Sequence, residues 1–399
     1  MTLRFPPRFL LLLSLLFVLN LVQSYFTELI YDEAYYWYYA QNLSWGYFDH
    51  PPMVAFLIKI GSYLFPAELG VRFMSCLLSI GTYCIIWLMV DHPKKNESVG
   101  LFFLLLFSMT LMNAYGFFTL PDTPLLFFTA LFLWLYKRFL KTPSYALAVG
   151  IGLAMAALMY SKYHAFLVIL FVFLSNVNLV RDPRAWLAVG IALLSYSPHL
   201  IWLYEQDFVS IKFHISERPN QAYSFSKFTL GYLVNLVAIF GLLFFWVYKA
   251  LFRTKTTGLF SKALKFLSYG VLLFFFISSF NRRVQTQWII IISVPMAIIT
   301  FNYLLEHAHS RKWAYRAGLV SLVILLYARI WLVHQPLIPI LFEAHGNTAW
   351  VNDLSKKANG VPVVFENSYR RAAMYAFYSG NPSFTLNNHM YRKNQYSID

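Results

Sequence analysis

The segment YDEAYYWYYAQNLSWGYFDHPP, Tyr31–Pro52, gathers residue types that do chemistry. Asp32 and Glu33 stand side by side, and two carboxylates together suit proton transfer to or from a reacting hydroxyl. Asp49 and His50 follow, and Pro51 confines His50 to extended backbone, which aims both side chains. An aspartate beside a histidine supplies half of a divalent-cation site. Asp49, His50 and the distant His214 are the candidate metal ligands, although two adjacent ligands alone do not require a metal. Tyr35, Tyr36 and Tyr47 carry rings that stack on a sugar or sit among lipid headgroups, where such rings are enriched.

Three later motifs add to this set. PDTP holds Asp122 between prolines, either as an ordinary helix N-cap or as another working carboxylate. SKYH brings Lys162 and Tyr163: the lysine is either a snorkelling side chain or a point charge for a phosphate. NRRVQTQ presents Arg282 and Arg283, guanidinium forks of the kind that bind phosphate. The charges between His199 and Arg218 fit a solvated loop.

The elements that must position these residues are apolar. The 399 residues are 59% hydrophobic and only 12% charged, with a formal net charge of +15; an ordinary soluble domain carries about 25% charged residues. This excludes a water-soluble enzyme and points to an all-α polytopic membrane protein. Eleven runs can span, within a range of ten to thirteen: Phe9–Gln23, Leu69–Val90, Val99–Asn113, Leu125–Tyr136, Tyr145–Tyr160, Ala165–Val180, Ala185–Leu203, Phe228–Tyr248, Phe266–Phe280, Trp288–Leu305 and Ala317–Val333.

With the N-terminus cytoplasmic, every inner loop is basic, from Arg4 and Arg8 to Arg311, Lys312 and Arg316. That is the positive-inside pattern, and it accounts for the net charge without a nucleic acid partner. The motifs above then all fall on the extracytoplasmic side. The first outer loop, 27–68, is long enough for interfacial helices, and Met53–Phe65 is apolar but too short to cross. Cys76 and Cys84 lie in one apolar run and read as buried small hydrophobes. After Val333 the composition becomes ordinary. VPVVFENS reads as a strand, RRAAMYAFYSG as a helix closed by glycine and SFTL as a second strand. The expected organisation is therefore a transmembrane catalytic domain, 1–335, and a small extracytoplasmic α/β region, 336–399.

DEAYYW, GYFDHPP, PDTPLLFF, SKYHAFL and, near the end, YRKNQYS (Tyr391–Ser397) together resemble the membrane glycosyltransferases of the C-type fold. More narrowly, the chain is similar to relatives of the protein O-mannosyltransferases and of the lipid A aminoarabinose transferase. The resemblance implies an enzyme that takes a sugar from a polyprenyl (undecaprenyl) phosphate carrier and places it on lipid A, another glycolipid or glycan, or a protein. It implies a bacterial inner membrane, an extracytoplasmic site and an inverting displacement. It makes Asp32 the base or acceptor-orienting group, with Glu33 beside it and Asp122 facing it. Tyr35, Tyr36, Tyr47, His50, Lys162, Tyr163, Arg282 and Arg283 would hold the donor's phosphate and sugar, and membrane lipid would surround the carrier's tail. In the aminoarabinose branch a lysine follows the second loop acid; here it is His50, so which cation meets the phosphate differs. The alternative is a transporter or flippase of lipid-linked sugars, which would place its ionisable groups at mid-membrane in paired halves rather than at one face.

Overall fold

Twenty residues without a charge beyond Arg8 begin the molecule as helix α1, Pro7–Phe26, opened by a proline at its first turn. In the computed structural model, which describes residues 5–213, 222–334 and 340–399, the chain continues almost wholly in helices. They are α2 Tyr31–Gln41, α3 Met53–Leu64, α4 Ala67–Met89, α5 Val99–Ser108, α6 Thr110–Ala114, α7 Asp122–Lys141, α8 Tyr145–Ser161, α9 Phe166–Ser175 and α10 Pro183–Glu205. There follow α11 Val209–Lys212, α12 Gly231–Ala238, α13 Phe244–Arg253, α14 Leu259–Ser278, α15 Ser293–Glu306 and α16 Ala308–Val333. The last stretch holds α17 Asn347–Ala358, strand β1 Val363–Glu366, α18 Tyr369–Ser379 and strand β2 Ser383–Leu386.

Local chemistry explains the ends that matter. α7 has Asp122 in its first turn and Arg138 and Lys141 in its last, the signs that complement a helix dipole. Ser144 caps α8 by accepting from the Leu147 amide, and Asp182 caps α10 by accepting from the Arg184 amide. Each satisfies one of the donors a helix start leaves open.

Among the described residues six helices are long and apolar enough to cross a membrane: α1, α4, α7, α10, α14 and α16. The expected span Phe228–Tyr248 is not one straight helix. Its two halves meet at 96° around Gly241, where φ is +54° and a Cβ would approach the Thr110 hydroxyl to 2.8 Å. Only glycine takes that backbone freely. Counted as one, this bent pair makes a seventh span. The other expected spans fall on helices of 10–17 residues, at or below the short end of the usual crossing length of about 17–25 residues. A multi-span membrane protein is what the helices build, with six spans by length and composition among the described residues, or seven with the bent pair as one.

The first outer loop folds into α2 and α3, with α3 packed along α4. The tyrosines of α2 do not form a lipid-facing belt. Tyr35, Tyr36, Tyr39 and Tyr47 are buried in a core shared with Tyr369, Ala373 and Met374 of α18. β1 and β2 pair in parallel, Val363 opposite Ser383 through Glu366 opposite Leu386. α18 connects them, capped by Ser368 and ended at Gly380 with φ +70°, and it packs on α2. The C-terminal stretch thereby lies against the loop that carries the acidic residues.

Candidate active site

Neighbours in a helix point about 100° apart, and α2 uses this to separate its two acids. Glu33 faces inward and is fully buried. Its carboxylate accepts from Arg72 Nε (2.8 Å) and Nη2 (2.5 Å), and from the Thr119 amide (2.8 Å) and the Ile30 amide (3.2 Å). Arg72, equally buried, also donates to the carbonyls of Ser24 and Glu28. With four donors on it, Glu33 is a tie between α1, α2, α4 and the loop before α7; the expected share in proton transfer does not fit this placement. Asp32 turns the other way. It lines a cavity of about 710 Å³, and its Oδ1 lies 2.9 Å from Arg370 Nη2 on α18.

Loops and helix ends meeting at one end of the bundle supply the rest of the cavity wall. Asp122 at the start of α7 and Lys162 just past α8 form a buried ion pair of 2.7 Å. Asp49 accepts from Arg392 Nη2 with both oxygens, at 2.5 and 2.7 Å, and from the Tyr39 hydroxyl at 3.4 Å. Arg392 itself lies over the rings of Phe213 and Tyr369. Tyr36, His50, Tyr163 and Arg282 line the same space. So does Tyr35, whose hydroxyl accepts from the Gln395 amide at 2.7 Å. Burial pushes the Tyr35 and Tyr36 phenols well above their ordinary range, with Asp49 next in effect on Tyr35 and Asp32 next on Tyr36. Both remain neutral hydrogen-bonding groups. Phe274, Phe275 and Trp288 add an apolar side.

Not every residue singled out in the sequence reaches this wall. Tyr47 stacks flat on Tyr39 at 4.3 Å, and its hydroxyl contacts the carbonyls of Tyr39 and Asn42; it braces the loop. Arg283 is exposed and, unlike Arg282, does not line the cavity. His214 lies outside the described residues. Both oxygens of Asp49 accept from the Arg392 guanidinium, so the first expected metal ligand is engaged in an ion pair in this structure. Among the described residues no three His, Cys, Asp or Glu side chains gather as a metal site.

Arg370 and Arg392 are the functional candidates that sequence reasoning missed. Each is more than 330 residues from its partner, so no local spacing links them. The one available signal was the YRKNQYS motif, which contains Arg392.

The chain is similar to several known proteins. The family model described as dolichyl-phosphate-mannose-protein mannosyltransferase matches residues 49–202, the stretch from Asp49 to Trp202 that includes Asp122 and Lys162. The lipid A galacturonosyltransferase RgtD of Rhizobium johnstonii is 26% identical over 197 residues, 47% of this chain and 41% of that one. The lipopolysaccharide core galacturonosyltransferase RgtA of the same organism is 28% identical over 250 residues, 57% of this chain and 49% of that one. The chain thus matches somewhat under half the length of each relative. Among solved structures, ArnT from Cupriavidus metallidurans in the apo state superposes with a TM-score of 0.72 over 98% of this chain and 86% of that one, at 13% identity. The same protein bound to undecaprenyl phosphate gives 0.71, at 14% identity over 98% and 87%. Across nearly its whole length, the chain has the C-type fold of the membrane glycosyltransferases.

Proposed function

We propose that this protein transfers a sugar from a polyprenyl phosphate carrier to a glycolipid acceptor, lipid A or the lipopolysaccharide core being the acceptor class that its relatives' names favour. One observation carries the reading: a single cavity where Asp32, Asp49 and Asp122 are each matched with a cation, beside an apolar flank of Phe274, Phe275 and Trp288. A phosphate-linked sugar on an isoprenoid needs those three surroundings together.

The residues divide the work as follows. Asp32, half-exposed on the wall, takes the proton of the incoming hydroxyl or holds it in line. Lys162, fixed by Asp122, presents a point charge to the leaving phosphate, whose negative charge grows as the bond breaks. Arg282 and Arg370 add guanidinium forks on the same wall. Arg392 holds Asp49 and so anchors the C-terminal segment over the site. The carrier bond is already activated, so no nucleotide is required. One direct displacement inverts the anomeric centre, and the site lies on the extracytoplasmic side that the charge pattern assigns.

Mass spectrometry of lipid A, lipopolysaccharide core and polyprenyl-linked sugars tests the reading in cells with and without the protein. A sugar missing from the glycolipid, with its carrier-linked form accumulating, is the expected result; unchanged glycolipid and carrier pools would overturn it. The placement of Arg392 adds a second expectation. The purified protein should transfer sugar equally well in a chelator such as EDTA and in added Mg²⁺ or Mn²⁺. A loss of about tenfold or more in chelator, restored by metal, would displace Arg392 from Asp49.

A further inference from the structure

Asn235 on α12 holds the loop that follows α14 at two points. Its Nδ2 donates to the carbonyl of Val284 at 2.9 Å, and its Oδ1 accepts from the Thr286 hydroxyl at 2.7 Å. Gln285 sits between these ties with extended backbone, φ −88° and ψ 148°. Side chains alternate along extended chain. With Thr286 turned to Asn235, Gln285 turns the other way, and it lines the cavity. Gln287 lines the cavity too, and its Nε2 donates to Gln285 Oε1 at 3.0 Å.

A side-chain amide carries a carbonyl acceptor and an NH₂ with two donors. The single contact between these two amides leaves the Gln285 NH₂ and the Gln287 carbonyl without a partner among the described residues. Which amide atom is oxygen and which is nitrogen is assigned from the hydrogen-bond pattern. Exchanging them in both residues alters only which glutamine presents which group. Either way the pair offers the cavity one free NH₂ and one free carbonyl. A phosphate or carboxylate oxygen only accepts, so it can use the NH₂ but is repelled by the carbonyl. A hydroxyl both accepts and donates. Two hydroxyls on one sugar ring, one accepting from the NH₂ and one donating to the carbonyl, satisfy the pair in full. We propose that Gln285 and Gln287 form a receptor for a pair of sugar hydroxyls, a neutral counterpart to the cations Lys162, Arg282, Arg370 and Arg392 on the same wall. The pair is a specificity determinant: it distinguishes a carrier or acceptor by its sugar and adds nothing to the grip on phosphate. The inference deepens the reading of the cavity as a sugar-transfer site and rests on it.

The test uses the full chain in lipid nanodiscs, as wild type, Gln285→Met and Gln287→Met, a substitution that keeps the reach of the side chain and removes its amide. The probes are undecaprenyl phosphate and undecaprenyl phosphate-linked galacturonic acid, read by Kd, with transfer to lipid A read by the acceptor's KM. Both side chains are uncharged and partly exposed, so both variants should melt with wild type and bind the bare carrier as wild type does. Each should lose about tenfold, the worth of one neutral hydrogen bond, either in Kd for the sugar-bearing carrier or in KM for the acceptor. The first pattern assigns the hydroxyls to the donor sugar and the second to the acceptor; each supports the inference. A general loss of folded protein would move both lipids together, so the ratio of the two Kd values isolates the contact with sugar. The inference is overturned if the variants weaken the bare carrier as much as the sugar-bearing one, which would make the amides phosphate ligands. It is equally overturned if neither Kd nor KM moves. A wild-type chain that binds neither lipid overturns the reading of the cavity itself.

Discussion

Asp32→Asn is expected to lower sugar transfer by roughly 10²–10⁴-fold, the span associated with a positioned base, with folding and carrier binding near wild type. The substitution keeps the size and one accepting oxygen of the side chain and removes its capacity to take a proton. The structure indicates why little else should change. Asp32 and Arg370 are 40% and 44% exposed in their ion pair, and a pair so open to water contributes at most about 1 kcal/mol. The phosphate-directed charge of Lys162 is held by Asp122, not by Asp32. Initial transfer rates, a melting curve and the Kd for undecaprenyl phosphate on the same preparation separate the effects. Transfer within about threefold of wild type would remove Asp32 from the chemistry. A parallel fall in rate and melting temperature would instead mark it as a brace.

What could be read from the chain alone follows the physical range of each signal. Hydropathy is local, so the apolar runs were legible as helices, and so were the strand–helix–strand elements that became β1, α18 and β2. The bend at Gly241 was not: apolar residues flank it on both sides, and a lone glycine in such a run also fits a straight helix. Loop alternation brought Asp32, Asp49, Asp122, Lys162, Tyr163 and Arg282 to one face, because it needs only the order of spans and loops. The pairings among them needed more. Asp49 looked like half a metal site, and nothing near it in the sequence pointed to Arg392, more than 340 residues later, on both of its oxygens. Tyr47 looked like a sugar platform until Tyr39 stacked on it. Arg72 carried no signal beyond its position near a span entrance, yet it decides what Glu33 does.

For Glu33 the expectation is therefore the reverse of that for its neighbour. Glu33→Gln, or Arg72→Met, should destabilise the folded protein by about 3–5 kcal/mol, the cost of leaving one charge of a buried pair uncompensated. Turnover per folded molecule should stay near wild type. Both side chains are 0% exposed, so water cannot replace the lost partner. In Glu33→Gln the Arg72 guanidinium would keep only carbonyl acceptors, such as those of Ser24 and Glu28. The Thr119 amide, which fixes the approach to Asp122, would face a weaker acceptor. Replacing both residues by apolar ones of similar volume, Glu33→Leu with Arg72→Met, should recover a large part of the loss, because neither charge then remains buried. Thermal denaturation of wild type, Glu33→Leu, Arg72→Met and the double variant closes a double-mutant cycle whose coupling term reports the pair directly. If Glu33→Gln kept wild-type stability while turnover collapsed, the two acids would be a catalytic couple after all. Stability lost with turnover kept would show one side of α2 serving the reaction and the next residue, a third of a turn around, holding the helix in place.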